Sequence, residues 1–177
     1  NDLPTFSEGN LAYTTGSNAY FSGISTIGVS SGKWFMECNW VSGATVLNGV
    51  IDEQDLNAQL LTAPAAGVGF TTNSVGYFKD GTKFIADSNT SYGASLAAGD
   101  IIGIALDLDS GTKTVTFYKN GSSQGAINLP TGGTGTFFFA SSVYAAVTHA
   151  NYGNPPYANT SSVADANGYG AFEYAPP

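Results

Sequence analysis

The acidic side chains are the residues of this sequence that bear most directly on catalysis. A retaining glycosidase needs two carboxylates about 5 Å apart, conventionally on alternate residues of one strand. Of the two most regular predicted strands, one contains only Glu37 and the other only Asp107. Asp52, Glu53 and Asp55 lie close together, but in a segment typical of a short helix or a loop. The sequence therefore predicts neither a glycosidase nor any other enzyme.

Other residue types that often carry chemistry are also better explained by structure. The single histidine, His149, has no recognisable nucleophile motif around it, so we interpret it as a packed or partly exposed strand residue. Asp107, Asp109 and Gly111 resemble part of a calcium loop, but the distal glutamate of an EF-hand is missing, and a hairpin turn is the simpler interpretation. Cys38 is alone, which excludes an intrachain disulfide, and its apolar neighbours predict burial. We predict no metal and no cofactor.

The charge balance restricts the possible partners. Five lysines and no arginine stand against thirteen acidic residues, giving a formal net charge of −8. Without the planar guanidinium fork that captures phosphates, nucleic acid is not an expected partner. No apolar run approaches the roughly 18 residues of a membrane helix, so we expect no membrane insertion. Because the chain opens at Asn1 and stops at Pro177 within a segment typical of extended structure, we expect a fragment of a longer protein.

Period-two alternation predicts the strands that must position any site. The segment 33–41 places large apolar residues on one face, and 101–108 does the same. A turn at 109–112 joins the strand at 101–108 to a strand at 114–119, which is the most clearly predicted hairpin of the chain. Asn120-Gly121 predicts a further tight turn. The residues predicted to form the core are Trp34, Met36, Ile104, Leu106, Val115, Phe117 and Phe138. Cys38 and Trp40 lie on the same face as Trp34 and are also assigned to the core.

The remaining pattern predicts one all-β domain over residues 1–177. Further strands are predicted at 75–78, 84–86, 136–142, 144–152 and 171–174. Residues 52–61 are predicted to form a short helix or loop with Asp52 as a possible cap. Residues 153–169 are predicted to form a long surface excursion before the last strand. About ten short strands with glycine-rich turns are typical of an antiparallel β-sandwich.

Several of these segments resemble the SPRY (B30.2-like) domain family. Residues 99–107 are similar to its Gly-Asp-hydrophobic-hydrophobic-Gly stretch, and 116–121 are similar to the hairpin that continues it. Residues 31–37 resemble the family's strand entry, Gly-Lys-aromatic-aromatic-x-Glu. Residues 150–157 and 172–177 resemble the end of SPRY-like modules in many bacteriophage structural proteins. The resemblance implies a bent, concanavalin-like jelly-roll sandwich with one short helix or none, which binds through loops and carries out no chemistry.

Two functional hypotheses follow from the resemblance, with a third behind them. The first is a structural or adhesion module of a bacteriophage virion, displayed on the capsid or tail. Its partners would be other virion proteins or a host-surface glycan or protein, and a homo-oligomer is compatible with this role. The second is a carbohydrate-binding, lectin-like module of a bacterial adhesin or enzyme, outside the cell or on its surface. The third is an adaptor of the kind found in eukaryotic ligases and signalling proteins.

The predicted contact surface lies in loops that exceed the family pattern, at residues 52–64 and 154–170. These loops are rich in Asn, Ser, Ala and Tyr, a composition that recognition loops favour. The residues predicted to bind a ligand or partner are Tyr92, Tyr157, Tyr169, Asp55 and Asn89. The competing interpretation is that the loop tyrosines pin their loops to the sandwich.

Overall fold

A computed structural model describes residues 4–16, 19–57 and 67–177 of the chain. Their strands are β1 (Thr5–Ser7), β2 (Ala12–Thr14), β3 (Phe21–Ile24), β4 (Lys33–Asp52), β5 (Ser74–Phe78), β6 (Thr82–Ile85), β7 (Ser88–Ser91), β8 (Ile101–Asp107), β9 (Thr114–Lys119), β10 (Ser122–Asn128) and β11 (Phe137–Asn151). Short 3-10 turns occupy Glu8–Asn10 and Glu53–Asp55. None of the helical segments in the described residues is long and apolar enough to span a membrane.

The sheet is organised around two long antiparallel strands, β4 and β11, which pair along most of their length. The first half of β4 carries β8, followed by β9 and β10, while its second half carries β5, followed by β6 and β7. Tyr77 on β5 contacts Phe117 on β9, with ring centroids 5.4 Å apart, although the two strands attach to opposite halves of β4. The halves therefore face each other, and the predicted all-β antiparallel sandwich is confirmed.

The backbones of β4 and β11 leave regular extended geometry at a close approach between the two strands. Gly43 has a φ of +101°, and a Cβ atom added there would lie 2.3 Å from the carbonyl oxygen of Ala145. Ala145 itself has a φ of 45°, which is uncommon outside glycine. The two late strands predicted at 136–142 and 144–152 are therefore wrong as separate elements, because the chain bends at this point without leaving the sheet.

Most of the predicted core is confirmed. Met36, Ile104, Leu106, Val115 and Phe117 are at most 2% exposed, and they join Cys38 and Trp40 between the layers. A smaller cluster lies outside the β4–β5–β6 layer and consists of Leu47, Ile51, Val68 and Ala140, with half-buried aromatics around it. Phe138 belongs to this outer cluster, whereas Phe137 and Phe139 face the main core, as expected for a strand covered on both sides.

The assignment of Trp34 to the core is wrong. Its side chain is 47% exposed because it lies at the start of β4, where the indole N–H donates to the carbonyl of Ser31 at 2.7 Å. The hairpin predicted from residues 101–119 is confirmed, with β8 and β9 paired in register. Asn120 and Gly121, with φ values of 48° and 77°, form the expected tight turn into β10.

The segments predicted as a final strand at 171–174 and as a short helix or loop at 52–61 have the following structures. The strand predicted at 171–174 is wrong, because Phe172 makes only an isolated bridge to Val163 and the following N–H groups bond a side chain instead of a strand. Asp52 does cap a single 3-10 turn, accepting the N–H of Gln54 at 2.9 Å. Residues 58–61 of the predicted helix and 58–64 of the predicted recognition loop lie outside the described residues.

Candidate binding site

Glu37, the carboxylate first considered for catalysis, fastens the end of the chain to the sheet. It is fully buried on the outer face of β4. Its carboxylate accepts the backbone N–H groups of Glu173 and Tyr174, each at 2.9 Å, and the amide N–H of Asn151 at 3.1 Å. Burial raises the pKa of Glu37, and these hydrogen bonds oppose the rise. The carboxylate is therefore committed to holding residues 152–177, here called the C-terminal segment.

Aromatic packing adds to this attachment. Phe172 meets Phe35 of β4 edge to face, with ring centroids 5.2 Å apart. Tyr174 packs over the β9–β10 turn so closely that a Cβ atom on Gly121 would lie 2.7 Å from the tyrosine ring. The C-terminal segment thus covers part of the outer face of the β4–β8–β9 layer and leaves the rest open.

An open cleft of about 570 Å³ lies between the C-terminal segment and this outer face. Aromatic residues from both sides line it, namely Trp34, Phe35, Tyr118, Tyr152, Tyr169 and Phe172. Thr114 and Thr116 of β9 add hydroxyl groups, and Asp165 and Asn167 add polar groups from the C-terminal segment. The cleft combines apolar ring faces with hydrogen-bonding groups, as ligand sites commonly do.

The turn at residues 165–169 holds Tyr169 at the edge of the cleft. The Asp165 carboxylate accepts the N–H groups of Asn167 at 2.9 Å and Tyr169 at 2.8 Å. Backbone bonds from Asp165 to Tyr169 at 2.8 Å and from Gly168 to Asp165 at 3.0 Å close the turn. Tyr169 is nevertheless 73% exposed, so the turn fixes its backbone and presents its ring to solvent.

The charged residues of the cleft are paired or used in turns. Lys33 forms an ion pair with Asp107 at 3.1 Å. The backbone N–H of Ser110, its hydroxyl group, Lys33 and the Asp109 N–H stabilise the Asp107 carboxylate and lower its pKa to about 2. Asp109 accepts the N–H of Gly32 at 2.7 Å. Asp107 therefore closes the β8–β9 hairpin and Asp109 ties it to the segment before β4. No cluster of three potential metal ligands occurs among the described residues.

The predicted contact residues do not form one surface. Tyr92 packs against Tyr77 and Phe117, with ring centroids 5.3 and 6.0 Å away, and its hydroxyl donates to the carbonyl of Gly125. Burial raises the pKa of Tyr92 to about 12. Asn89 is exposed on β7, opposite Phe84 of β6.

The other three predicted residues also have distinct environments. Tyr157 is half-buried and stacks on His149 at 5.8 Å, and burial raises the pKa of the tyrosine and lowers that of the histidine. Asp55 is 8% exposed and accepts the N–H of Asn73 at 2.5 Å. Tyr169 is the one predicted residue that lines the cleft.

Sequence reasoning missed Phe35 and Tyr118 as candidate site residues. Each is a large aromatic residue on the face of its strand opposite the core, between inward-facing neighbours such as Met36 and Phe117. Both strands alternate strictly, so an aromatic residue on the face opposite the core was visible in the sequence. This signal could have identified the floor of the cleft.

Single alanine substitutions show which loop tyrosine stabilises the fold and which is only exposed. Tyr92→Ala removes two ring contacts and a hydrogen bond, so we expect the free energy of unfolding to fall by about 1–3 kcal/mol. Tyr169→Ala removes an exposed side chain, so its unfolding should stay within about 0.5 kcal/mol of the wild type. Urea unfolding of both variants measures the contrast. Equal destabilisation would show that Tyr169 is also a structural pin.

The fold and the cleft define a β-sandwich binding module, and comparison with known proteins names its class. The model of the SPRY domain family matches residues 51–157, and the chain belongs to this family. A human SPRY domain has a TM-score of 0.65 and 18% sequence identity, covering 83% of this chain and 93% of that one. The SPRY domain of human HERC1 also has a TM-score of 0.65, with 17% identity, covering 83% of this chain and 91% of its own. No curated protein matches the chain.

Membership of this family gives a general function. SPRY domains are protein-interaction modules and are generally non-catalytic. The turn that carries Tyr169 follows the matched residues 51–157, so one wall of the cleft is built by a part of the chain outside the family match.

Proposed function

We propose that this SPRY domain is a non-catalytic binding module displayed on the surface of a bacteriophage virion, where it contacts the host surface or a neighbouring virion subunit. The observation that carries binding is the exposed Tyr169 ring, held by a hydrogen-bonded turn at the edge of an aromatic cleft. A rigid aromatic anchor loses little conformational freedom when a partner covers it. The module therefore has a preformed contact surface.

The phage context rests on the sequence. Residues 150–157 and 172–177 resemble the ends of SPRY-like modules in phage structural proteins. The chain is also acidic, with a net charge of −8, and rich in small residues. These features support display on a capsid or tail.

The contacts of Glu37, Asp107 and His149 support binding without catalysis. Glu37 is sealed beneath the C-terminal segment, Asp107 is committed to a hairpin turn, and His149 is stacked on Tyr157. A general acid or base must reach the proton it transfers. None of these three groups is free to do so.

A second candidate is a lectin-like module of a bacterial adhesin or enzyme, located outside the cell or on its surface. The observation that favours it is the mixture of ring faces and neutral hydroxyl groups in the cleft. It differs from the first candidate in the parent protein and location, not in the binding surface.

Immunogold electron microscopy tests the location. Antibodies against the domain are applied to purified particles and to cells of the strain whose genome encodes the chain. We expect gold label on the capsid or tail of particles, and excess purified domain should compete for the label. Label confined to the bacterial envelope would overturn the virion proposal in favour of the second candidate.

A further inference from the structure

The size and lining of the cleft suit a small ligand with flat apolar faces. Its volume of about 570 Å³ falls within the range of roughly 300–1,000 Å³ typical of ligand pockets. Phe35 and Tyr118 line its floor from adjacent parts of the sheet, and Tyr169 lines its edge. The Phe35 ring and the Tyr118 Cβ atom both lie against Gly103, where an added Cβ atom would be 3.0 and 3.2 Å from them.

Hydroxyl groups lie beside these rings at regular intervals. Thr114, Thr116 and Tyr118 alternate along β9 and share its outer face, with successive side chains about 7 Å apart. Asn167 supplies an amide from the opposite wall. Threonine hydroxyls and the asparagine amide both donate and accept hydrogen bonds, so they match a ligand whose own groups do the same.

The charges of the cleft disfavour an anionic ligand. Lys33 is the lysine that lines it, and its ammonium group is already 3.1 Å from Asp107. Asp165 adds a second carboxylate, and the whole chain carries a net charge of −8. A phosphate, a sulfated or sialylated glycan or an acidic peptide would meet a negative potential without a free cation.

The exposed wall of the cleft is preorganised. Four hydrogen bonds within residues 165–169 fix the turn that carries Tyr169. Glu37 fixes the C-terminal segment from the other side. A ligand that stacks on Tyr169 therefore does not have to order the loop first.

We infer that this cleft binds a neutral carbohydrate chain, with the rings of Tyr169, Tyr118 and Phe35 as stacking platforms and the Thr114, Thr116 and Asn167 side chains as hydrogen-bonding partners. The pyranose ring has an apolar face and a rim of hydroxyl groups, which matches alternating rings and hydroxyls. The inference rests on the proposed function as a binding module and specifies the ligand of its cleft. It holds for either parent protein.

A glycan array containing neutral and acidic oligosaccharides is the first test. We expect the wild-type domain to bind neutral glycans and to keep that binding at high salt, since no ion pair contributes. The strongest neutral oligosaccharide is then titrated into isotopically labelled domain, and NMR shifts should concentrate on the residues that line the cleft.

Variants locate the site within the molecule. Tyr169→Ala is expected to weaken binding of that oligosaccharide at least about tenfold, because it removes an anchoring ring. Tyr169→Phe keeps the ring and should bind within about threefold of the wild type. Phe6→Ala is the matched control, since Phe6 is an aromatic residue 46% exposed on β1 and does not line the cleft. It should bind as the wild type does.

The outcomes separate the ligand from the general function. Binding restricted to acidic glycans, absence of any glycan binding at millimolar concentrations, or equal binding by Tyr169→Ala and the wild type would each overturn the inference. If the domain then still binds host cells or virion proteins, the binding-module proposal stands and a protein is its partner. If the domain binds neither, both proposals fail.

Discussion

Phe117→Ala is expected to lower the free energy of unfolding by about 3–5 kcal/mol, as for other buried phenylalanines. Phe117 is fully buried in the main core. Its ring contacts Tyr77 and Tyr92, which come from the opposite layer and from the loop after β7. Truncation would leave a cavity at the point where the two layers meet, because neighbouring strands can relax only partly.

Denaturant unfolding followed by fluorescence and circular dichroism measures this effect. Tyr118→Ala is the matched control, because it removes a neighbouring aromatic ring from the same strand but from the half-buried outer face. We expect the control to lose less than half as much stability as Phe117→Ala. A loss below about 1 kcal/mol for Phe117→Ala would contradict the assignment of the inner face of β9.

The β8–β9 hairpin could be predicted from the sequence because its determinants are local. Alternation within each strand defines the buried face, and the turn residues between the strands fix the register. The same reasoning was wrong for Trp34, since alternation reports the side of a strand and not whether the opposite layer extends far enough to cover it. Trp34 lies near the start of β4, is 47% exposed and is among the residues that line the cleft.

The features set by distant contacts could not be predicted. The continuous β11 depends on the close approach of Gly43 and Ala145, which are far apart in sequence. The final strand was predicted from residues 171–174, but the N–H groups of Glu173 and Tyr174 bond the Glu37 side chain instead of another strand. The cleft has the same origin, because its two walls come from the sheet and from the C-terminal segment. Of its residues, Tyr169 was predicted as an aromatic residue in a polar loop, whereas the outward-facing aromatics Phe35 and Tyr118 were overlooked.

Glu37→Gln is expected to detach the end of the C-terminal segment. The wild-type carboxylate accepts three N–H groups, whereas the amide of glutamine places its own N–H₂ against one of these donors. An unsatisfied buried donor costs about 1–3 kcal/mol, so we expect a loss of stability of that size. Hydrogen exchange should show faster exchange of the Glu173 and Tyr174 amides. Glu53→Gln is the control, because Glu53 is exposed and the change in charge is the same.

The pH dependence of this difference tests the state of the Glu37 carboxyl. Burial raises its pKa in the folded state above the ordinary value of 4.5. A raised carboxyl pKa means that the folded protein holds the proton more tightly than the unfolded chain, so its contribution to stability is complete below pH 4.5 and is lost as the pH rises through the folded-state pKa. The desolvation cost of ionising the buried carboxyl exceeds the gain from its three hydrogen bonds, so the stability difference between the wild type and Glu37→Gln should shrink as the pH rises above 4.5.

Asp107, another carboxyl with a shifted pKa, does not obscure this signal. The lowered pKa of Asp107, about 2, has the opposite sign, so its contribution is lost as the pH falls through that value. Asp107 is present in both proteins and cancels in the difference. A difference that instead grows as the pH rises would show that the Glu173, Tyr174 and Asn151 N–H groups outweigh burial and keep the carboxylate ionised. Glu37 would then fasten the C-terminal segment most strongly as an anion.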